Sequence, residues 1–366
     1  MTVDPRDGAA RAGWHDPPVR PTPSVLPRRD LPTAAGLVLG AAADLLLADP
    51  RRWHPVAGFG RAAAALERRL WRDSRLAGVA HAGLLTGAAT GLGVVLDRAT
   101  RDRPAARTLV TAAATWAVLG GTSLGRAGTA MARTLDAGDL PAARALLPTL
   151  AGRDPSGLGG PELARATVES VAENTSDAAV APLVWGALAG LPGLLGYRAV
   201  NTLDAMVGHR SPRHARFGWA AARGDDVANW LPARLTAALT AATAPLAGGS
   251  ARGALRVWFR DGAAHPSPNA GRCEAAAAGA LGLRLGGRNV YGSRVEDRPV
   301  MGEGRAPAGS DVARAVRLSR AVWLAAAALA AAARLVARSR PAAGPRRCRA
   351  PRGAGSVGKP AGSTRR

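Results

Sequence analysis

An all-α, multipass membrane helical bundle is the architecture to which this 366-residue sequence points, and two observations carry that reading. The first is composition: hydrophobic residues make up 47% but aromatics only 4%, alongside 45 Gly and 27 Pro. Sandwich strands draw on β-branched and aromatic side chains, whereas helices that pack closely in lipid draw on small ones. The second is a series of uncharged stretches, several near the ~20 residues that span a bilayer. Their recurrence favours a membrane bundle over a soluble bundle of buried Ala-rich helices.

Taken in order, residues 1–32 are Pro-rich, mixed in charge and without an apolar run, which predicts a disordered N-terminal extension. Arg28-Arg29 precede an apolar stretch, but Asp44 interrupts it and no small-residue cleavage site follows, against an export signal. Residues 33–337 form the membrane-embedded domain. Its apolar runs are 34–48, broken by Asp44; 76–96, uncharged apart from His81; 108–124; 178–197, with Pro182 and Pro192; 235–251, with Pro245; and 321–333, bracketed by Arg320 and Arg334, whose long stems can snorkel. About five helices are expected to cross. No internal repeat of fixed period is evident. Residues 338–366 carry nine basic residues and no acidic one, and predict a disordered basic tail.

The charge excludes as much as it suggests. The net charge is +23, yet the tail accounts for much of it, and the rest is dispersed among apolar segments. A basic tail beside a hydrophobic helix attracts anionic lipid. No zinc-finger or RNA-recognition signature accompanies it, so no nucleic-acid partner is expected. The only lysine is Lys359 in the tail, and no GxxxxGK[ST] occurs, against a phosphate loop or a Schiff base. Cys273 and Cys348 alone make neither a thiolate zinc site nor a disulfide framework.

The unusual residues fall between the apolar runs. Arg165, Glu169, Glu173 and Asp177 recur every four residues and share roughly one helical stripe. Carboxylates at that spacing repel one another; Arg165 relieves one end, and a divalent cation or cationic substrate would relieve the rest. Asn174-Thr-Ser-Asp177 would equally serve as a cap for the next helix. Asp225, Asp226 and Asn229, with Asn201 and Asp204 nearby in sequence, suit Mg²⁺ held beside phosphate oxygens. A first helical turn, where acids meet the dipole favourably, would explain Asp225-Asp226 but not Asn201 and Asp204. His54, between Trp53 and Pro55, and the run His265-Pro-Ser-Pro-Asn269 are side chains presented by proline-fixed turns. Arg153 is a candidate phosphate fork, or a partner in a surface salt bridge with Asp154.

The ordered set of motifs resembles the CobD/CbiB family of cobalamin biosynthesis, the adenosylcobinamide-phosphate synthases. The resemblance runs from about residue 37 to 304. It includes Asp44, Asp49-Pro50, His54-Pro55-Val56, Gly152-Arg153-Asp154, Glu169-Ser-Val-Ala-Glu173-Asn174-Thr175 with Asp177, and Asn201-Thr-Leu-Asp204-Ala-Met206. Ala222-Arg223, Asp225-Asp226, Asn229, Pro232-Ala233-Arg234 and Ser267-Pro268-Asn269-Ala270-Gly271 with Glu274 complete it. Ala48, Gly224 and Arg272-Cys273 depart from the family pattern, as does the glycine-rich stretch near Tyr291.

The resemblance implies a multipass enzyme of the cell membrane that uses ATP and Mg²⁺. It would join (R)-1-amino-2-propanol phosphate, or a related amino-alcohol, to a side-chain carboxylate of adenosylcobyric acid, through an acyl phosphate. Asp204, Asp225, Asp226 and Asn229 are the expected magnesium ligands. Glu169 or Glu173, with Asp177, are the expected catalytic carboxylates, and Arg153, Arg223 and Arg234 the phosphate holders. His54, Asn201, Asn269 and Glu274 would position substrate. A membrane transporter or sensor would also place acids between kinked helices, and a magnesium-dependent membrane prenyltransferase would use the Asp-rich pair. ATP chemistry requires the motif loops to share one face, cytoplasmic for this enzyme class. That in turn requires Pro182, Pro192 and Pro245 to mark broken or re-entrant segments. The sequence leaves the oligomeric state open.

Overall fold

A computed structural model describes residues 30–49, 54–209, 211–291 and 294–337. The expected extension up to residue 29, residues 50–53 of the first proline-flanked turn and the basic tail from 338 lie outside the described residues. The protein is all-α apart from one hairpin. Helices α1 (Asp30–Leu47), α2 (Pro55–Leu70), α3 (Arg75–Ala99) and α4 (Pro104–Val118) come first, then α5 (Gly121–Asp136) and α6 (Leu140–Leu146). Next are α7 (Gly160–Thr175), α8 (Ala181–Leu203), α9 (Trp219–Ala228), α10 (Trp230–Thr243), α11 (Ala251–Asp261) and α12 (Ala270–Leu281). Strands β1 (Leu285–Tyr291) and β2 (Arg294–Met301) pair antiparallel before the long α13 (Gly309–Ala337).

Three expectations about the elements need correction. Helix α1 already begins at Asp30, so residues 30–32 belong to it and not to the extension; Pro32 sits in its first turn, where a missing N–H costs nothing. The run 108–124 is not one helix. It ends at Val118, turns at Leu119-Gly120, where Gly120 N–H donates to the Ala178 carbonyl at 3.0 Å, and restarts as α5. The run 235–251 is broken at Pro245, as expected: α10 ends at Thr243, Pro245 lies in a tight 3₁₀ turn, and Gly248 stops that turn with φ 65°. Instead of about five spans, three helical runs among the described residues are long and apolar enough to cross a membrane: 75–99, 160–208 and 309–336.

The middle run reverses direction. Gly190 has φ 62° and ψ −141°, a combination only glycine adopts readily. Beyond it the chain folds back so closely that a Cβ on Gly193 would lie 2.2 Å from the Trp185 carbonyl. Pro192 opens the returning arm, where its fixed φ suits a first turn. Arg334 of α13 donates to the Gly186 carbonyl at 3.0 Å, placing a cation at the C-terminal end of the descending arm. The hairpin tip thus lies beside Asp97 and Arg334, while both its feet stand at the other end of the bundle.

Small residues set the packing around this hairpin. Gly36 and Gly40 lie one turn apart on α1, where any Cβ would fall 2.5 and 2.4 Å from the Cβ atoms of Thr111 and Thr115 on α4. Such small-residue contacts let helix backbones approach in lipid. The outward faces of α1 and α3 remain apolar: Leu46 is 78% and Leu76 80% exposed, as lipid-facing side chains are. The protein is a helical membrane protein. Helices α10 and α12 pack at the feet of the hairpin, with α11 and the β-hairpin against α12.

Candidate active site

Two acids flank the hairpin, each in a widened turn. α7 runs into α8 through a π turn at Ser176–Val180, which contains Asp177, and α8 ends in a second at Asp204–Gly208. Widened turns of this kind concentrate at functional sites. The same pattern, Asn-Thr-x-Asp-Ala, leads into both, at 174–178 and 201–205. This short internal echo was missed in the sequence because it repeats only once. Asn174 is not a cap: the helix continues past it, and its Nδ2 donates to the Ser170 carbonyl at 2.9 Å.

At the feet of the hairpin the polar groups converge. Asn201 Nδ2 reaches Asp177 Oδ2 at 3.4 Å and Asp225 Oδ1 at 3.3 Å, tying three helices together. Tyr197 donates its hydroxyl to Asn229 Oδ1 at 2.9 Å. Arg198 donates to Asn201 Oδ1 at 3.2 Å and to the Val118 carbonyl, so one guanidinium anchors the turn before α5 to the acids. Sequence reasoning passed over Tyr197 and Arg198. The signal for Arg198 was available, since it is the only charged residue between Asp177 and Asp204.

Asp225 and Asp226 lie in the C-terminal half of α9, and Asn229 caps that end, with its N–H on the Asp225 carbonyl at 2.9 Å. A first-turn dipole role is therefore wrong for this pair: acids at a helix C-terminus are disfavoured. Asp225 faces inward, whereas Asp226 accepts from the exposed Arg223 at 3.2 Å. Asp204 lies within electrostatic reach of both. Burial pushes the Asp225 carboxyl above its ordinary range, and the charge of Asp226 adds to this while the Asn201 amide opposes it.

A cavity of about 20 Å³, room for a water or a single small cation, lies among Glu173, Asp177, Asp225, Asn229 and Asn269. Ser176 Oγ and Asn229 Nδ2 are buried there without hydrogen-bond partners. Asn269 bridges the rim: its Nδ2 donates to the Asp226 carbonyl at 2.8 Å and its Oδ1 faces Arg234 Nη1 at 3.4 Å. Arg234 itself stacks 4.2 Å over the Trp230 ring.

The remaining predicted residues lie outside the cavity lining, with Arg153, Glu169 and Glu274 still within electrostatic reach of Glu173. Arg153 makes neither a surface bridge nor an open fork, because it is buried against Glu169 at 2.6 Å. The other Glu169 oxygen accepts Gly286 N–H at 2.7 Å. Arg165 does not relieve the acidic stripe; it donates to the backbone carbonyls of Gly286 and Arg288, because β1 presents acceptors beside it. Glu274 is 1% exposed, and neither carboxyl oxygen has a hydrogen-bond partner. Burial pushes it well above the usual carboxylate range, reinforced by Glu169 and Glu173. His54 caps α2, its Nδ1 accepting Val56 N–H at 3.2 Å and its Nε2 lying 3.7 Å from Asp49.

Among the described residues, no three His, Cys, Asp or Glu side chains form a ready-made metal cage. Mg²⁺ beside a phosphate needs only one or two carboxylates, the other positions being water and phosphate oxygens. Asp225, with Asp204 or Asp226, fits that pattern of donors.

Fold and site together define a helical membrane protein with a buried acidic centre at one end of its bundle. The family model described as CobD/Cbib protein matches residues 37–319, and the chain belongs to that family. It is 57% identical over 287 residues to the cobalamin biosynthesis protein CobD of Mycobacterium tuberculosis, covering 78% of this chain and 91% of that relative. The Geobacter metallireducens protein of the same name is 46% identical, over 75% of this chain and 89% of its own. That of Rhodobacter capsulatus is 44% identical, over 78% and 92%. No solved structure matches.

Proposed function

We propose that this protein is an ATP-dependent acid–amine ligase of cobalamin biosynthesis. It joins (R)-1-amino-2-propanol phosphate, or a related amino-alcohol, to a side-chain carboxylate of adenosylcobyric acid, giving adenosylcobinamide phosphate. The observation that carries the reading beyond the family is the acid-lined cavity at the feet of the hairpin, with Arg234 beside Asn269 at its rim. An amine arrives as an ammonium and attacks only after losing a proton. Glu173, Asp177 and Asp225 attract that cation, and one of them takes the proton. Both oxygens of Glu169 are engaged, by Arg153 and by Gly286, which leaves Glu173 as the better base of the two.

A carboxylate is a poor acyl donor, and ATP with Mg²⁺ supplies the leaving group and the charge neutralisation. Asp225 with Asp204 or Asp226 would hold the ion. Arg234, beside Asn269, and Arg223, on the exposed side of α9 with Asp226, would neutralise phosphate oxygens. Asn201 and Asn269 keep the surrounding helices in register. Arg198 and Arg153 position acids and do not reach the mouth.

The test is a single assay of the purified protein in lipid, with ATP, adenosylcobyric acid and a set of amino-alcohols and their phosphates, products read by mass. Corrinoid-dependent ATP consumption with a new amide is the expected result. Consumption of a prenyl diphosphate without corrinoid, or transport without turnover, would overturn the proposal.

A further inference from the structure

A second cavity, of about 450 Å³, opens between α5 and α13, with Leu45 of α1 among its walls. Its size falls within the usual range for a small-molecule site. Arg126 and Arg133 stand two turns apart on α5, and Arg320 faces them from α13. No acidic side chain lines the cavity, and none of the three arginines has a carboxylate partner within 4 Å among the described residues. Thr122, which also lines it, gives its N–H to the buried Asp44 at 2.9 Å, and Asp44 lies behind the wall within electrostatic reach of Arg126. Arg320 by itself is explained by snorkelling at the start of the apolar part of α13. Arg126 and Arg133 lie on a helix outside the three spans and are not.

Asp44 offsets part of the charge of Arg126, whereas Arg133 and Arg320 have no carboxylate partner among the described residues, and the planar forks of all three match phosphate oxygens. We propose that this groove binds a phosphoryl group, at a site separate from the acidic centre. Two sources share that chemistry. One is an anionic phospholipid headgroup, since α1 beside the groove exposes Leu46 and Leu47 to lipid. The other is a soluble phosphorylated molecule.

The test uses the full chain in phosphatidylcholine nanodiscs, with phosphatidylglycerol included in one arm and inorganic pyrophosphate added in the other. Thermal unfolding and native mass spectrometry are read for four proteins: wild type, the double variant Arg126→Gln/Arg320→Gln, Thr129→Trp, which keeps every charge but fills the groove, and Arg256→Gln, which removes an exposed arginine on α11. Wild type and Arg256→Gln are expected to be stabilised by at least one probe. The double variant and Thr129→Trp are expected to lose about tenfold or more in apparent affinity. Protection by phosphatidylglycerol alone assigns the lipid, and protection by pyrophosphate alone assigns the soluble source. Should the double variant fail to insert, Thr129→Trp carries the test. Absence of any shift in wild type, or an equal shift in all four proteins, overturns the proposal.

Discussion

Asp225 and Glu274 are carboxyls that burial makes reluctant to ionise, and they separate function from packing. An acid whose folded pKa is raised contributes stability that is present below its unfolded value, ~4, and is lost as pH rises through the folded value. For Asp225 the proposed role as a magnesium ligand requires the opposite, ionised form. Amide formation is therefore expected to rise with pH above the ordinary carboxylate range. Asp225→Asn should flatten that limb and cut turnover sharply without lowering thermal stability. A pH profile of kcat/KM beside thermal unfolding of the same preparations checks both. Glu274 has no hydrogen bonds to lose, so Glu274→Gln, the shape of its protonated form, should unfold within about 1 kcal/mol of wild type. A loss of several kcal/mol would show that Glu274 is held as an anion. The acids themselves were legible in the sequence from their spacing. Their partners were not: Arg153 on Glu169 joins residues from different loops, and no spacing rule links Gly286 to either.

Among the elements, the hairpin of α8 decides where everything else stands. Pro182, Pro192 and Pro245 announced broken segments, and each sits where its missing N–H is tolerated: after the π turn, at the start of the returning arm and in the 3₁₀ turn. What the sequence did not disclose is which residue turns the chain. Gly190 precedes Pro192 by two positions and resembles every other glycine around it until its φ is known. Gly190→Ala is expected to cost about 1–3 kcal/mol, because alanine is strained at that φ and ψ. Its Cβ would also meet Arg334 Nη2 at 3.3 Å. Thermal unfolding in detergent measures the cost, and an unchanged midpoint would mean that the turn is made elsewhere.

For the whole molecule, the reversal at Gly190 returns the acids of α7, α8 and α9 to one end of the bundle, where α2 and α12 also begin. Single cysteines replacing exposed Arg61, Arg223 and Arg256, in a chain lacking its own two, should react with an impermeant thiol reagent from the same side of sealed vesicles. A cysteine at Arg101, beyond the far end of α3, should react from the other. Labelling of the first three from different sides would contradict the arrangement. The intact chain should also stay in the membrane after alkaline extraction.

The widened turns at Ser176–Val180 and Asp204–Gly208 also bear on how such a site can arise. A π turn absorbs one surplus residue without rephasing the helix on either side. Each arm of the hairpin therefore keeps the packing of an ordinary helix on both sides of its widened turn. Removing one residue again, for instance Ala179, should leave the lipid-facing and core-facing stripes of both flanking helices in place while withdrawing Asp177 from Asn201. The deletion should give a well-inserted but inactive protein, and insertion by extraction assay alongside amide formation would recognise it.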